Sequence, residues 1–318
     1  MPTLPTMKLL HYAQRASRTL LPDGLAHQLE HRAREARFAT ESDAFRKSLG
    51  LRPSAHRLTV LAYPGPLVHP RIALRRICAA LGYTLTSDPS RPYDLAIVHD
   101  DRSKLCPEMA SGVPTRTPVL NLGAVDIDKS TVSAAFTRVF GATMDVDPTT
   151  HHGPMVEKPE ENSADGRAMV VGPLEPRPDF VYQRLFDSQR PDGRFVEYRV
   201  PVHGGRVPLV YEHVAREDQR FTKRTEQTRI LDASDVFTVE ERAGLVELCR
   251  RLGVDYGELY VIRDRNDGVP YVIDVNKTPF GPPKDLPESE YPEALRRLTH
   301  TFERLCLDVL VAAEAPSA

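Results

Sequence analysis

Residues 58–100 constrain the fold more than any other stretch. LTVLAY (58–63) is a compact apolar run, HPRIALRRICAALG (69–82) carries a helical apolar stripe that stops at Gly82, and YDLAIVHD (93–100) is a second apolar run. Strand, helix and strand at this spacing make a βαβ unit, which implies a parallel sheet covered by helices. The Pro64-Gly65-Pro66 turn after the first strand has neither the GxGxxG nor the GxxxxGK[ST] pattern, so it reads as a structural turn and not as a phosphate loop.

The flanking segments differ in character. Residues 1–54 are charged and helical in pattern with sparse apolar positions, as expected of a helical appendage on the outside of a larger body. PVLNLGAVDIDKSTVSAAFTRVFG (118–141) reads as strand, loop and helix, with Asp128 as N-cap and Gly141 as C-cap. The Asp, Gly and Pro-rich DVDPTTHHGP (145–154) then connects to a strand-rich region. MVEKPEENSADGRAMVVGP (155–173) reads as two strands around a polar loop. FVYQRLFD (180–187) and RFVEYRVPVHGGRVPLVYEHVA (194–215) add strands with turns at PDG and HGG, and TVEERAGLVELCRRLG (238–253) is an amphipathic helix. The organisation is thus a helical segment (1–54), a small βαβ domain (55–120) and a C-terminal core (121–318).

The chemistry concentrates in GELYVIRD (257–264) and VPYVIDVN (269–276). A three-residue loop Asn266-Asp267-Gly268, with Gly268 left-handed, sets Tyr260 opposite Asp274 and Glu258 opposite Asn276. Alternation then puts these four side chains on one face and Val261, Ile273 and Val275 on the other. Glu258, Asp274 and Asn276 together offer hard oxygen donors suited to Mg²⁺. The alternative for this face is the solvated side of an edge hairpin.

Composition removes several classes of function. A formal net charge of -2 argues against a nucleic-acid partner held by a broad basic face. No apolar run reaches the ~18–20 residues of a membrane span. The N-terminus lacks a continuous secretory h-region. Cys78, Cys106, Cys249 and Cys306 show no zinc spacing, so free thiols in the cytoplasm are expected. Only eight of the 42 basic residues are lysines, which draws the eye to Lys129, Lys158 and Lys277. His151 and His152 lie in a connector without a third ligand and read as solvated, and His203 reads as structural.

DVNKTP at 274–279 resembles the acidic-x-Asn, small residue and Pro motif that ends the core of the ATP-grasp enzymes. Five further segments are similar to that family's, in its order, over roughly the C-terminal 200 residues. The resemblance implies an α/β protein, α+β in its C-terminal part, whose ATP-grasp fold has two sheet-bearing lobes behind a small βαβ domain. DIDKSTVSAAF and MVEKP imply that Lys129 and Lys158 contact ATP, and ENSADG that a loop closes over the triphosphate. YQRLFD implies that Gln183 and Leu185 hold adenine. VEYRVPV implies Glu197 at the ribose and Arg199 at the phosphates or acyl group, with Lys277 also at the reaction centre. Mg²⁺ falls to Asp274 and Asn276, and to Glu258 if it replaces the acid that the family usually carries where Tyr260 stands.

The implied activity is ATP-dependent ligation of a small-molecule carboxylate to an amine through an acyl phosphate. An ATP-grasp kinase is one alternative and a nucleotide-binding pseudoenzyme another, the latter because of Tyr260. His213, Arg216, Lys223 and Arg224 fall where the family places its acyl substrate. Neither a nucleic acid nor a membrane is an expected partner, and a homodimer is left open.

Overall fold

The computed structural model describes residues 37–65, 67, 69–106, 111–161, 166–220, 222 and 225–314. Residues 1–36 of the helical appendage, 162–165 of the polar loop, and Lys223 and Arg224 lie outside the described residues.

Helix α1 (37–48) leads into the βαβ unit. Strands β1 (Thr59–Tyr63), β2 (Thr84–Thr86), β3 (Leu95–Val98) and β4 (Val119–Leu120) form a parallel sheet in the order β2-β1-β3-β4. Every residue of LAIV in β3 is buried, as in a strand covered on both faces. Helix α2 (Ala73–Leu81) buries Leu74, Ile77, Cys78 and Leu81 and stops at Gly82, whose φ of 72° suits the left-handed cap. Strand β2 was not anticipated, because three residues directly after the cap give too short a pattern.

Helix α3 (Lys129–Phe140) starts after Asp128 as expected, but Asp128 makes no side-chain cap. Its carboxylate accepts from the Ser103 hydroxyl and pairs with Lys104 instead. Strands β5 (Gly153–Pro159), β6 (Ala168–Gly172) and β7 (Phe180–Arg184) make a three-stranded antiparallel sheet, β6-β5-β7. Strands β8 (Phe195–His203), β9 (Val210–Ala215), β10 (Gln227–Leu231), β11 (Tyr256–Arg263) and β12 (Pro270–Asn276) make a five-stranded antiparallel one, β10-β9-β8-β11-β12. Between β10 and β11 come the short α4 (Ala233–Val236) and α5 (Val239–Arg251), the latter opened by a capping box between Thr238 and Glu241.

Helices α3 and α5 cover one face of the five-stranded sheet. Val132 and Phe136 of α3 and Leu245 and Leu248 of α5 share a core with Val200, Leu259, Val261 and Val275. The final helix α6 (Tyr291–Glu314) turns back and packs Leu295, Leu298, Phe302 and Leu305 with α2 and the parallel sheet. Buried His203 belongs there too, stacked on Tyr256 with ring centroids 5.1 Å apart and hydrogen-bonded through Nδ1 to the Thr301 hydroxyl at 2.7 Å.

Asn121 joins the parallel sheet to the hairpin. Fully buried at φ 58°, it accepts at Oδ1 from the Asp255 and Tyr256 backbone N–H groups, both at 2.9 Å, and donates from Nδ2 to the Tyr256 carbonyl. Cys78, Cys249 and Cys306 are buried and Cys106 is partly so; all four are free thiols. No described helix is long and apolar enough to cross a membrane.

Candidate active site

The hairpin reaches the expected pairing by two deviations that cancel. Asp264 and Val269 close a four-residue loop, with Gly268 at φ 73°, so β11 and β12 leave the turn one residue out of the expected register. A bulge between Tyr260 and Val261 restores it: Val261 pairs with Val272, Ile273 is left over, and Tyr260 pairs with Asp274 and Glu258 with Asn276. Ile273, expected on the face with Val261 and Val275, shares their core and also lines the cleft between the two antiparallel sheets.

One part of that cleft is apolar, with Val156, Leu185, Phe186, Ile262 and Ile273 as its wall. Gln183 sits behind it, 1% exposed, accepting from the Lys158 ammonium at 2.7 Å and reaching Asp145 Oδ1 at 3.4 Å. An apolar wall with a few fixed polar groups beside it is the usual lining of a small-molecule site.

The other part is cationic. Lys158 enters from β5 and is 6% exposed; its Nζ also points at the Ile273 carbonyl, 3.5 Å away, which the bulge leaves outside the ladder. Burial, reinforced by Arg167 and Lys129, pulls its pKa down to about 7 against the pull of Asp274 and Glu197. Lys129, the first residue of α3, donates to the Glu160 and Glu161 carbonyls at 3.3 and 2.8 Å. Burial lowers its pKa too, opposed by Asp274, Glu160 and Asp128. The Asp274 carboxyl is raised by burial and held back by the same two lysines, so Lys129, Lys158 and Asp274 form one electrostatic group drawn from three elements.

A second group lies across the sheet. On β8, Arg199 stacks its guanidinium over the Tyr260 ring, 4.6 Å from the centroid, and its Nε stands 3.5 Å from Glu197 Oε1 with no hydrogen-bond partner although the atom is buried. Burial works against its charge, but Tyr260, Glu197 and Glu258 outweigh that and raise its pKa. Glu258 is 3% exposed; burial pushes it up to about 7 despite Arg199.

No family model matches the sequence, and no curated protein does. Solved structures do. D-alanine–D-alanine ligase from Bacillus anthracis matches with a TM-score of 0.52 at 12% identity, over 81% of this chain and 98% of that one. The same enzyme complexed with ATP gives 0.50 at 14% identity, over 80% and 99%. ATP-grasp ligase PsnB, complexed with a phosphomimetic variant of its minimal precursor, Mg and ADP, gives 0.52 at 12% identity, over 80% and 99%. This is the ATP-grasp fold.

Within this fold, one expected residue stands apart from the cleft. Lys277 is 2% exposed and donates to the Ala124 carbonyl at 3.2 Å, with Asp100, Arg102 and Asp126 as its charged neighbours; it is not part of the cleft lining. The reason is alternation: Lys277 follows Asn276 and turns to the opposite side. Glu258 stands opposite Asn276, as the expected register has it, and Arg199 is the cation that acts on its carboxyl.

The donors fit one Mg²⁺. Asp274 supplies a carboxylate and Asn276 an amide oxygen two residues away, enough for an ion that completes its shell with water and phosphate. Asn276 Oδ1 accepts from Thr278 N at 2.8 Å and from the Thr278 hydroxyl at 3.1 Å, but that hydroxyl also reaches Asp101 Oδ1 at 2.9 Å, which can take it and free the lone pair. Among the described residues no group of three or more His, Cys, Asp or Glu side chains could hold a metal by itself, His151 and His152 included.

Three arginines in the cleft were not foreseen. Arg167, Arg184 and Arg220 all line it, Arg220 lying 4.4 Å over the Phe195 ring and donating to the Phe186 carbonyl. In a chain with this many arginines none carried a distinguishing sequence signal. His213 also lines the cleft, its pKa lowered to about 3 by burial and Arg199, with Nε2 buried and unpartnered. Arg216 is outside the lining and pairs with Asp218 at 3.4 Å.

Proposed function

We propose that the chain is an ATP-dependent ligase that joins a carboxylate to an amine through an acyl phosphate. One observation carries the reading: Lys129 and Lys158, from separate elements, both act on the Asp274 carboxyl, and Lys158 also lines a cleft with an apolar wall. A nucleoside triphosphate has that polarity, a flat base at one end and dense negative charge at the other.

In this reading Leu185, Ile273 and Val156 sandwich the base, Gln183 fixes its edge and Glu197 takes a ribose hydroxyl. Lys158, Lys129 and Arg167 neutralise and orient the phosphates, and positioning and charge neutralisation are most of what phosphoryl transfer demands. Asp274 and Asn276 would hold Mg²⁺, which when bound screens the phosphate charge. Arg199, which lines the cleft, turns its guanidinium charge toward the reacting group. The acyl carboxylate attacks the terminal phosphorus, ADP leaves with the bonding pair, and the amine then displaces phosphate. The protein supplies no nucleophile. The domains proposed from sequence serve this reading, with residues 121–318 as nucleotide-binding core and 55–120 as the small preceding domain.

Product analysis tests it. ADP and inorganic phosphate should appear together only when a carboxylate and an amine acceptor are both present. Phosphate retained on the substrate would establish a kinase. Tight nucleotide binding with no turnover on any acceptor pair would favour the second reading, a non-catalytic binder, to which Tyr260 in an acidic position lends support.

A further inference from the structure

The cleft face of the five-stranded sheet carries a straight row across three strands. Asp274 on β12 pairs with Tyr260 on β11, and Tyr260 pairs with Arg199 on β8. Neighbouring strands lie ~4.8 Å apart, so the row sets an anion, an aromatic ring and a cation over roughly 10 Å. A second Mg²⁺ beside the first would need a hard anionic donor in the middle of this row. The residue there is a phenol, neutral at physiological pH in its ordinary state and a poor Mg²⁺ ligand.

The nearest carboxylates do not repair the gap. Glu258 is two residues from Tyr260 on the same face, but its cross-strand partner on β8 is Pro201, diagonal to Arg199 and within reach of its side chain. Glu197, two residues before Arg199, stands 3.5 Å from its Nε. Both acids therefore sit around a fixed guanidinium. A divalent cation placed among them would be repelled by Arg199, which the Tyr260 ring holds at 4.6 Å.

We infer that this chain binds one divalent ion per nucleotide, at Asp274 and Asn276, and that the Arg199 guanidinium on its Tyr260 platform stands in the place of a second. The inference rests on the ligase reading of the cleft. It departs from that reading by assigning the charge on one side of the phosphates to the protein and not to a metal. Arg199 lines the cleft, and its guanidinium is the cation left for a phosphoryl oxygen.

Mn²⁺ in place of Mg²⁺ makes the ion count measurable. Full-length protein is saturated with the non-hydrolysable analogue AMPPNP, bound nucleotide is counted by equilibrium dialysis, and bound Mn²⁺ by loss of the free-ion electron paramagnetic resonance signal. One Mn²⁺ per bound AMPPNP is expected. Tyr260→Phe, which keeps the ring under Arg199, should leave the count at one. Tyr260→Glu should raise it to two, with the split lines of a close spin pair. Two ions per nucleotide in the unaltered protein overturn the inference, and so does a fall to none in Tyr260→Phe, which would make the phenol oxygen a ligand. Failure of AMPPNP to bind at all removes the ligase reading and the inference with it, an outcome read separately from the metal count.

Discussion

Replacing Lys158 by methionine removes the most perturbed cation of the cleft while keeping its length and apolar stem. In the free protein its pKa lies at about 7 because it is buried among Arg167 and Lys129, so at pH 8 only about one-tenth of the molecules carry the charge. A bound triphosphate restores the charge, and binding at pH 8 should take up about 0.9 proton at this residue. The sign follows: the complex holds more protons than the free protein, so affinity falls as pH rises above 7, by up to tenfold per unit, and levels off below 7. Lys158→Met loses a charge-assisted contact of about 1.5–3 kcal/mol, or roughly 10- to 100-fold in Kd. Its fold should hold within about 1 kcal/mol, since relief of a desolvated ammonium offsets the loss of the donor to Gln183. Titration calorimetry with Mg-AMPPNP at pH 8, in two buffers of different ionisation enthalpy, gives affinity and proton uptake together. Unchanged affinity in Lys158→Met, or proton uptake that survives the substitution, would refute the assignment of Lys158 to the phosphates.

Three further substitutions test other parts of the structure. Asp274→Asn should leave metal-free nucleotide binding nearly intact and abolish its enhancement by Mg²⁺; a variant whose affinity still rises with Mg²⁺ would move the metal away from β12. Gly253→Ala places a methyl group directly against the Gly123 backbone at a φ of 69°, so about 2 kcal/mol or more of stability should be lost, and a urea midpoint equal to that of the parent would contradict the packing of α5's exit on the β4–α3 loop. Thr238→Ala removes the N-cap of α5, which accepts from Glu241 N at 3.2 Å, and should cost about 1 kcal/mol, with Thr238→Ser recovering most of it; equal midpoints for all three proteins would show that the cap contributes nothing.

Local patterns carried much of this structure. The βαβ unit was legible because β1, α2 and β3 each bury a run or stripe of apolar side chains, and Gly82 and Gly141 marked helix ends through their left-handed backbone. Strand β2 and helix α4 are too short to show a period, and α6 joins α2 through contacts that span most of the chain. The hairpin shows how a correct pairing can arise for an incomplete reason: the loop holds one more residue than its Asn-Asp-Gly sequence suggests, and the bulge at Ile273 compensates. Bulges answer to side-chain volume on both sheet faces, which no single strand's alternation records. Lys129 and Lys158 stood out in a lysine-poor chain, whereas Arg167, Arg184 and Arg220 were hidden among many arginines. Asn121 gave no signal either, since a buried amide that satisfies another segment's backbone is defined only by the tertiary contact.

Crystals grown with AMPPNP and Mn²⁺ test the central claim most directly. Anomalous scattering should place a single ion between Asp274, Asn276 and phosphate oxygens, with Lys158 and Lys129 on the triphosphate and the base against Leu185 and Ile273. Nucleotide bound outside this cleft, or an ion with no contact to Asp274, would contradict the account.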